Sequence, residues 1–369
     1  MLTRLLVYEL AELGNEVIVA STGYRREVFP SKDNVVLEEF KYSGAIIDWG
    51  DELQREIYKR IMDVQYTITY LVEKYDPDAA LVMIQEPLYV LLLKAARPNL
   101  GTAIYIHFPF EEELTRENLP RFIRMYRFPN MYNDLYKVAD IHLTNSNYTA
   151  RALYKHYGIE SNVVYPAIEW DYFRDEPSID ERRENVIISV ARFVPQKRLD
   201  VLLEIYKKYV KPKVPDAKLL LVGIKDSRYE DYFNKLVSEA EKVGDVEIIA
   251  KPLTPRELVK LYRRAKVYVH MRIGEHFGMA PVEAMSQATI PIVPRKSGLA
   301  ELIVPGVDGF VYDSDEEVAK LIIEVLRMSE EKLVELRRNA LRKAWRFTPA
   351  NFAKEVLAYM RLVAREPSQ

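Results

Sequence analysis

The chain has no cysteine, which removes disulfides, thiolate nucleophiles and Cys-ligated zinc. Histidine is scarce, with five in 369 residues. None stands in an i,i+4 pair with a third ligand nearby, so no metal site is expected. No window approaches the roughly 20 uninterrupted apolar residues that span a bilayer. Glu9 and Glu12 interrupt the apolar run from Leu5 to Leu13, so the opening does not read as a signal peptide, and a cytoplasmic location is the default expectation. Neither sign of charge is in excess. Lys and Arg number 53 against 55 Asp and Glu, a net charge of −2 that gives nucleic-acid binding no support.

Hydrophobic residues make up 49% and charged residues 29%, the balance of a globular protein long enough for two domains. Short β-branched runs alternate with amphipathic stretches almost throughout. Candidate strands in the first half are 16–21, 35–40, 79–84, 102–107, 141–145 and 163–165. In the second half they are 185–191, 218–222, 246–250, 267–271, 290–293 and 310–312. Helical patterns such as 52–74, 199–210, 228–243 and 255–265 lie between them. Near-continuous apolar strands separated by helices predict an α/β fold, with parallel sheets covered on both faces. The cadence pauses at 169–184, which is charged and carries Pro177. The expected division is therefore a first domain over 1–168, a linker over 169–184 and a second domain over 185–350. A last helix over 351–369 is expected to return to the first domain.

The opening departs from a doubly wound domain, which starts with a strand and a glycine-rich turn. Here a helix-like stretch, Leu2–Leu13, comes first. A first strand and its loop are expected to be missing, either because the fold is trimmed or because the true N-terminus lies upstream of Met1, the second being favoured.

Chemistry concentrates at strand ends. The strand 185–191 is followed by Arg192 and, five residues later, Lys197. Ligands of open α/β sheets bind at strand-to-helix turns, and two cations there can neutralise a diphosphate leaving group. Basic residues at such a turn can also be merely solvated. After the strand 267–271 comes Gly274-Glu-His-Phe-Gly-Met-Ala-Pro-Val-Glu, with Glu275 in the loop and Glu283 inside the helix that follows. The backbone of Phe277, Gly278, Met279 and Ala280 opens that helix and presents N–H groups to phosphate or sugar oxygens. The two carboxylates suit sugar and ribose hydroxyls, the plain alternative being a helix cap and a surface Glu.

The Arg-x4-Lys turn, the Glu-x7-Glu segment, the run from Ala288 to Glu301 and the stretch from Val304 to Tyr312 together resemble glycosyltransferase family 4. The resemblance implies a GT-B fold, two Rossmann-like domains facing a cleft, and transfer of a sugar from a UDP- or GDP-sugar with retention of configuration. It implies that Arg192 and Lys197 hold the diphosphate, that Glu275 contacts the transferred sugar and that Glu283 binds the ribose. In the first half Tyr105-Ile-His-Phe-Pro resembles the family's strand-end motif, which implies that His107 lies beside the sugar or the acceptor. It implies no metal or cofactor, and it implies front-face attack in which the leaving phosphate helps to deprotonate the acceptor, so that no carboxylate nucleophile is needed. The family's frequent Gly-Gly is here Ser297-Gly298, with Gly298 expected to offer a backbone contact.

The same motif is similar to that of dolichol-linked mannosyltransferases, which implies a lipid-linked or other glycan acceptor. In residues 119–132, Arg121, Arg124 and Arg127 interleave with Phe122, Met125, Tyr126 and Phe128. That mixture suits peripheral contact with an anionic membrane surface, or else a packed helix with snorkelling arginines. Two other readings stay open at this stage. One is a nucleotide-sugar epimerase or sugar phosphorylase of the same architecture, and the other is a non-catalytic sugar-nucleotide-binding protein.

Overall fold

The computed structural model describes residues 1–21, 29–39, 54–116, 118–120, 122 and 133–365, without the side chains of 54–58. The chain forms two compact units. The first is Met1–Pro166 with Pro349–Gln369, and the second is Ala167–Thr348.

In the first unit α1 (Leu2–Glu12) leads into β1 (Val17–Ser21) and β2 (Val35–Glu39). Then come α2 (Gln54–Tyr75), β3 (Ala79–Val82), α3 (Leu88–Ala96), β4 (Gly101–Ile106), β5 (Ile141–Thr144), α4 (Asn147–Tyr157) and β6 (Asn162–Val163). Among the described residues all strand pairs of this unit are parallel, and they form two sheets, β1-β2 and β3-β4-β5-β6. β4 is buried along its whole length, as a run of Thr, Ala, Ile, Tyr and Ile with two covered faces should be. Ser146 caps α4 by accepting from the Thr149 N–H, and Gly158 ends it in the left-handed region at φ 65°.

The second unit holds β7 (Val186–Val190), β8 (Lys218–Gly223), β9 (Val246–Ala250), β10 (Val267–Val269), β11 (Ile290–Pro294) and β12 (Phe310–Tyr312) in one parallel sheet. Its order is β12-β11-β10-β7-β8-β9. The chain starts in the middle at β7, builds outward through β8 and β9, then returns to place β10 on the other side of β7. This makes the β7–β10 border a topological switch point. On the sheet's faces lie α5 (Leu199–Ile205, continued by a π turn over Tyr206–Val210), α6 (Glu230–Val243), α7 (Pro255–Arg264) and α8 (Met279–Met285), then α9 (Asp315–Arg327) and α10 (Glu330–Ala344). Ile187, Leu219, Leu221, Val269 and Ile292 of the strands share one core with Leu202, Leu203, Ile322 and Leu336 of the helices.

The segment 169–184 is not a linker; it packs on the second unit. Tyr172 is buried within a single 3-10 turn. Arg183 is buried and donates to the carbonyls of Ala265 (3.0 Å) and Gln287 (2.7 Å) and to Thr289 Oγ1 (3.1 Å). Burial pulls its pKa down to about 9. The fully buried Arg337 of α10 donates to the carbonyls of Ile179 (3.3 Å) and Glu181 (3.1 Å). Buried guanidiniums that donate to these carbonyls anchor a segment whose composition reads as solvated.

The last helix, α11 (Pro349–Val363), belongs to the first unit, where it meets α1, β3 and β4. Gly101 makes this approach possible: a Cβ there would lie 1.8 Å from the Val363 carbonyl oxygen. Beyond the helix, the Arg365 guanidinium bonds the Asp76 carboxylate at 2.8 Å.

Candidate functional site

The groups with chemical potential gather where β7 and β10 end. β7 leads through Arg192 into a 3-10 turn, Pro195–Lys197, that aims Lys197 back across the switch point. Arg198 follows in the left-handed region at φ 51°, and its guanidinium grips Asp315 at the start of α9 at 2.9 and 3.0 Å. Lys197 Nζ bonds the Glu275 carboxylate. Both side chains are about one-sixth exposed, at 16% and 17%. His270 Nε2 lies 3.3 Å, and Arg272 Nε 3.9 Å, from the same carboxylate oxygen. Burial alone would raise the Glu275 pKa, but His270, Lys197 and Arg272 outweigh it and hold the group well below the usual carboxylate range.

The loop carrying Glu275 is held by its neighbour. The Gly274 N–H donates to the Lys296 carbonyl (2.6 Å), and the Gly298 N–H donates to the Glu275 carbonyl (2.8 Å). Gly298 therefore spends its amide on the loop instead of offering it to a ligand, which corrects the sequence expectation. Gly278 has φ 91°, and a Cβ there would stand 3.4 Å from Glu275 Cγ and 3.8 Å from His270 Nε2. Phe277 is buried, with its ring 5.7 Å from that of Phe347. Met279 and Ala280 open α8, whose start carries no capping side chain.

Glu283 lies inside α8 and has partners other than those of the Lys197 cluster. Tyr262 donates its hydroxyl to Glu283 Oε2 at 3.0 Å, and Tyr172 also bonds the carboxylate. Burial pushes the Glu283 pKa up to about 7, more than the two tyrosines lower it. Arg192 stands apart from Lys197, with its Nη1 3.6 Å from Asp226 Oδ2 and its side chain 60% exposed. Asp226 is shared with Arg228, whose hydrogen bonds hold it down to about 2.

His107 belongs to the first unit, just past β4. The Asn145 amide donates to its carbonyl at 2.8 Å, and its ring lies 5.1 Å from that of Tyr105. Burial draws its pKa down, partly offset by the Met83 backbone. Most of the basic and aromatic stretch 119–132, including Arg121, Arg124 and Arg127, lies outside the described residues. Among the described residues no helix is long and apolar enough to cross a membrane, and no cluster of His, Cys, Asp and Glu could hold a metal.

The structure thus joins Lys197 to Glu275 and leaves Arg192, Glu283 and His107 with other partners. It adds His270, Arg272, Tyr172 and Tyr262. The first two were findable, because they stand at the end of the same strand that points to Glu275.

Two parallel-sheet units, the second with charged groups at its strand ends, define a class. The sequence profile of Glycosyltransferase Family 4 matches residues 2–171, and that of Glycosyl transferases group 1 matches 173–343. The chain belongs to these glycosyltransferases, and its fold is GT-B. It is 28% identical to the human GDP-Man:Man(3)GlcNAc(2)-PP-Dol alpha-1,2-mannosyltransferase over 248 residues, 63% of this chain and 50% of that protein. A trehalose synthase of Pyrococcus horikoshii is 35% identical over 37% of this chain and 34% of its own length. The chain spans about half the length of the curated mannosyltransferases it matches. In fold it is similar to a sucrose-phosphate synthase of Thermosynechococcus elongatus, with TM-score 0.74, 17% identity and coverage of 98% and 92% of the two chains. It is similar also to Anabaena HepE in complex with UDP and glucose, with TM-score 0.70, 16% identity and coverage of 97% and 95%.

Proposed function

We propose that this chain transfers a hexose, mannose from GDP-mannose in the first instance, with retention of configuration to a lipid-linked oligosaccharide. The observation that carries the donor site is the Lys197–Glu275 pair at the β7–β10 switch point. A diphosphate leaving group needs a cation beside it, and Lys197 is a fixed, largely buried cation at a strand end. Arg192, exposed and flexible in reach, closes on the diphosphate by exchanging Asp226 for it. Glu275 exchanges its bond to Lys197 for a hydroxyl of the sugar, and Glu283 receives the ribose.

In the reaction the bond between the anomeric carbon and the β-phosphate oxygen breaks and a bond to the acceptor oxygen forms. The acceptor proton passes to the leaving phosphate. His107, held neutral by burial, is assigned to the acceptor side. The site needs no metal, since Lys197 and Arg192 supply the positive charge. The mannosyltransferase relatives support the donor and the lipid-linked acceptor, and the charge balance of the site supports a nucleoside diphosphate.

Incubation with GDP-mannose, UDP-glucose and other nucleotide sugars, with a polyprenyl-diphosphate oligosaccharide as acceptor, tests the assignment. GDP release from GDP-mannose that depends on acceptor, with an α-linked product by NMR, is expected. Release of neither GDP nor UDP, with nucleotide still bound, would favour a non-catalytic sugar-nucleotide-binding protein.

A further inference from the structure

His270 is an imidazole at the donor cluster, beside Glu275, whose chemistry the site does not yet use. It is 6% exposed, and its Nε2 is buried without a well-directed hydrogen bond. Buried polar atoms in native proteins have partners, so one with only a poorly directed approach to Glu275 marks a place where a ligand or water completes the site. The ring is closely surrounded. Its Nδ1 is 3.3 Å from the Tyr268 hydroxyl, and its carbonyl accepts from the Tyr312 hydroxyl at 2.9 Å.

The tautomer follows from the neighbours. A bare Nε2 lone pair 3.3 Å from the ionised Glu275 carboxylate would face like charge. Nε2 therefore carries the proton, and Nδ1 faces the Tyr268 hydroxyl, which lies 3.3 Å from the Val190 carbonyl as well. Lys197 and Arg272 also approach that carboxylate, so the Nε2–H can exchange Glu275 for a ligand without stripping the carboxylate of its cations. Gly278, at φ 91° and without a side chain, leaves space beside both groups.

We infer that His270 is a sugar-binding residue: its Nε2–H donates to a hydroxyl of the transferred hexose that in turn donates to Glu275. A hydroxyl is donor and acceptor at once, so it fits between an N–H and a carboxylate as a phosphate oxygen does not. Burial lowers the His270 pKa and keeps the ring neutral, which matches an uncharged hydroxyl. The inference rests on the donor site proposed above.

Calorimetry on the full chain separates the two. GDP and GDP-mannose are titrated, with UDP and UDP-glucose alongside, into wild type, His270→Phe and His270→Gln. The expected result for His270→Phe is a GDP affinity within twofold of wild type and a GDP-mannose affinity about tenfold weaker. His270→Gln, which keeps an N–H, recovers part of the loss. A deoxy-mannose donor lacking the bonded hydroxyl should bind wild type less tightly than GDP-mannose, and His270→Phe should no longer tell the two apart. Equal weakening of GDP and GDP-mannose, or an unchanged GDP-mannose affinity in both variants, would overturn the role of His270 while leaving the donor site standing. Failure of wild type to bind either nucleotide would overturn the donor site and this inference with it.

Discussion

The two units present different chemistry at equivalent places in their sheets. At the end of β4 in the first unit, the groups that hold the strand-end histidine are neutral. Asn145 bonds the His107 carbonyl, Thr144 bonds that of Ile106 at 2.8 Å, and Gln85 bonds Phe108. At the ends of β7 and β10 in the second, Lys197, Arg272 and His270 surround one carboxylate, and Arg198 is clamped on Asp315. Similar parallel sheets thus carry a neutral strand end and a strongly charged one. The difference is what a neutral hydroxyl and a diphosphate would each ask for.

The largest test of that contrast sets Lys197→Ala beside His107→Ala. Removing the lysine should lower kcat/KM by about 100-fold or more, on the order of 3 kcal/mol of transition-state stabilisation, and should weaken GDP binding at least tenfold. His107→Ala should leave GDP affinity within twofold of wild type by the same titration. Equal loss of nucleotide in both variants would break the contrast. Next in size, Gly101→Ala forces a Cβ against the Val363 carbonyl and should destabilise the first unit by about 3 kcal/mol. Thermal unfolding should show this, while GDP binding at low temperature persists.

Glu283 gives a pH signature in the second unit. Its folded pKa is raised to about 7 from 4.5, so the folded state holds the proton more tightly than the unfolded chain. Its contribution is therefore full below about pH 4.5 and fades as pH rises through 7. Wild type should lose melting temperature between pH 5 and 8 relative to Glu283→Gln; parallel curves would refute the buried, protonated carboxyl. The smallest effect concerns Arg198. Its φ of 51° is one that glycine adopts freely, so Arg198→Gly should be more stable than Arg198→Ala by about 1 kcal/mol in chemical denaturation.

Much of this was legible in the sequence. β-Branched runs such as Val186–Val190 and Ile290–Pro294 announce buried strands, and the strand-end rule leads to Arg192, Lys197 and Glu275. Strand ends moved by a residue or two, as where 267–271 became Val267–Val269. What was not legible depends on partners far along the chain. Lys197 meets Glu275 across 78 residues, and no local pattern reports that. Charge misled at 169–184, because nothing in the composition shows that Arg183 finds the carbonyls of Ala265 and Gln287. The division of the first unit's strands into two sheets is likewise a matter of pairing, which a list of apolar runs does not contain. His270 was passed over because one histidine near a strand end says little until its neighbours are known.

A crystal structure with GDP-mannose bound addresses the account most directly. The account predicts the diphosphate within hydrogen-bond reach of Lys197 Nζ, the mannose against Glu275 and the ribose at Glu283. Nucleotide bound elsewhere, with the Lys197–Glu275 pair undisturbed, would contradict it.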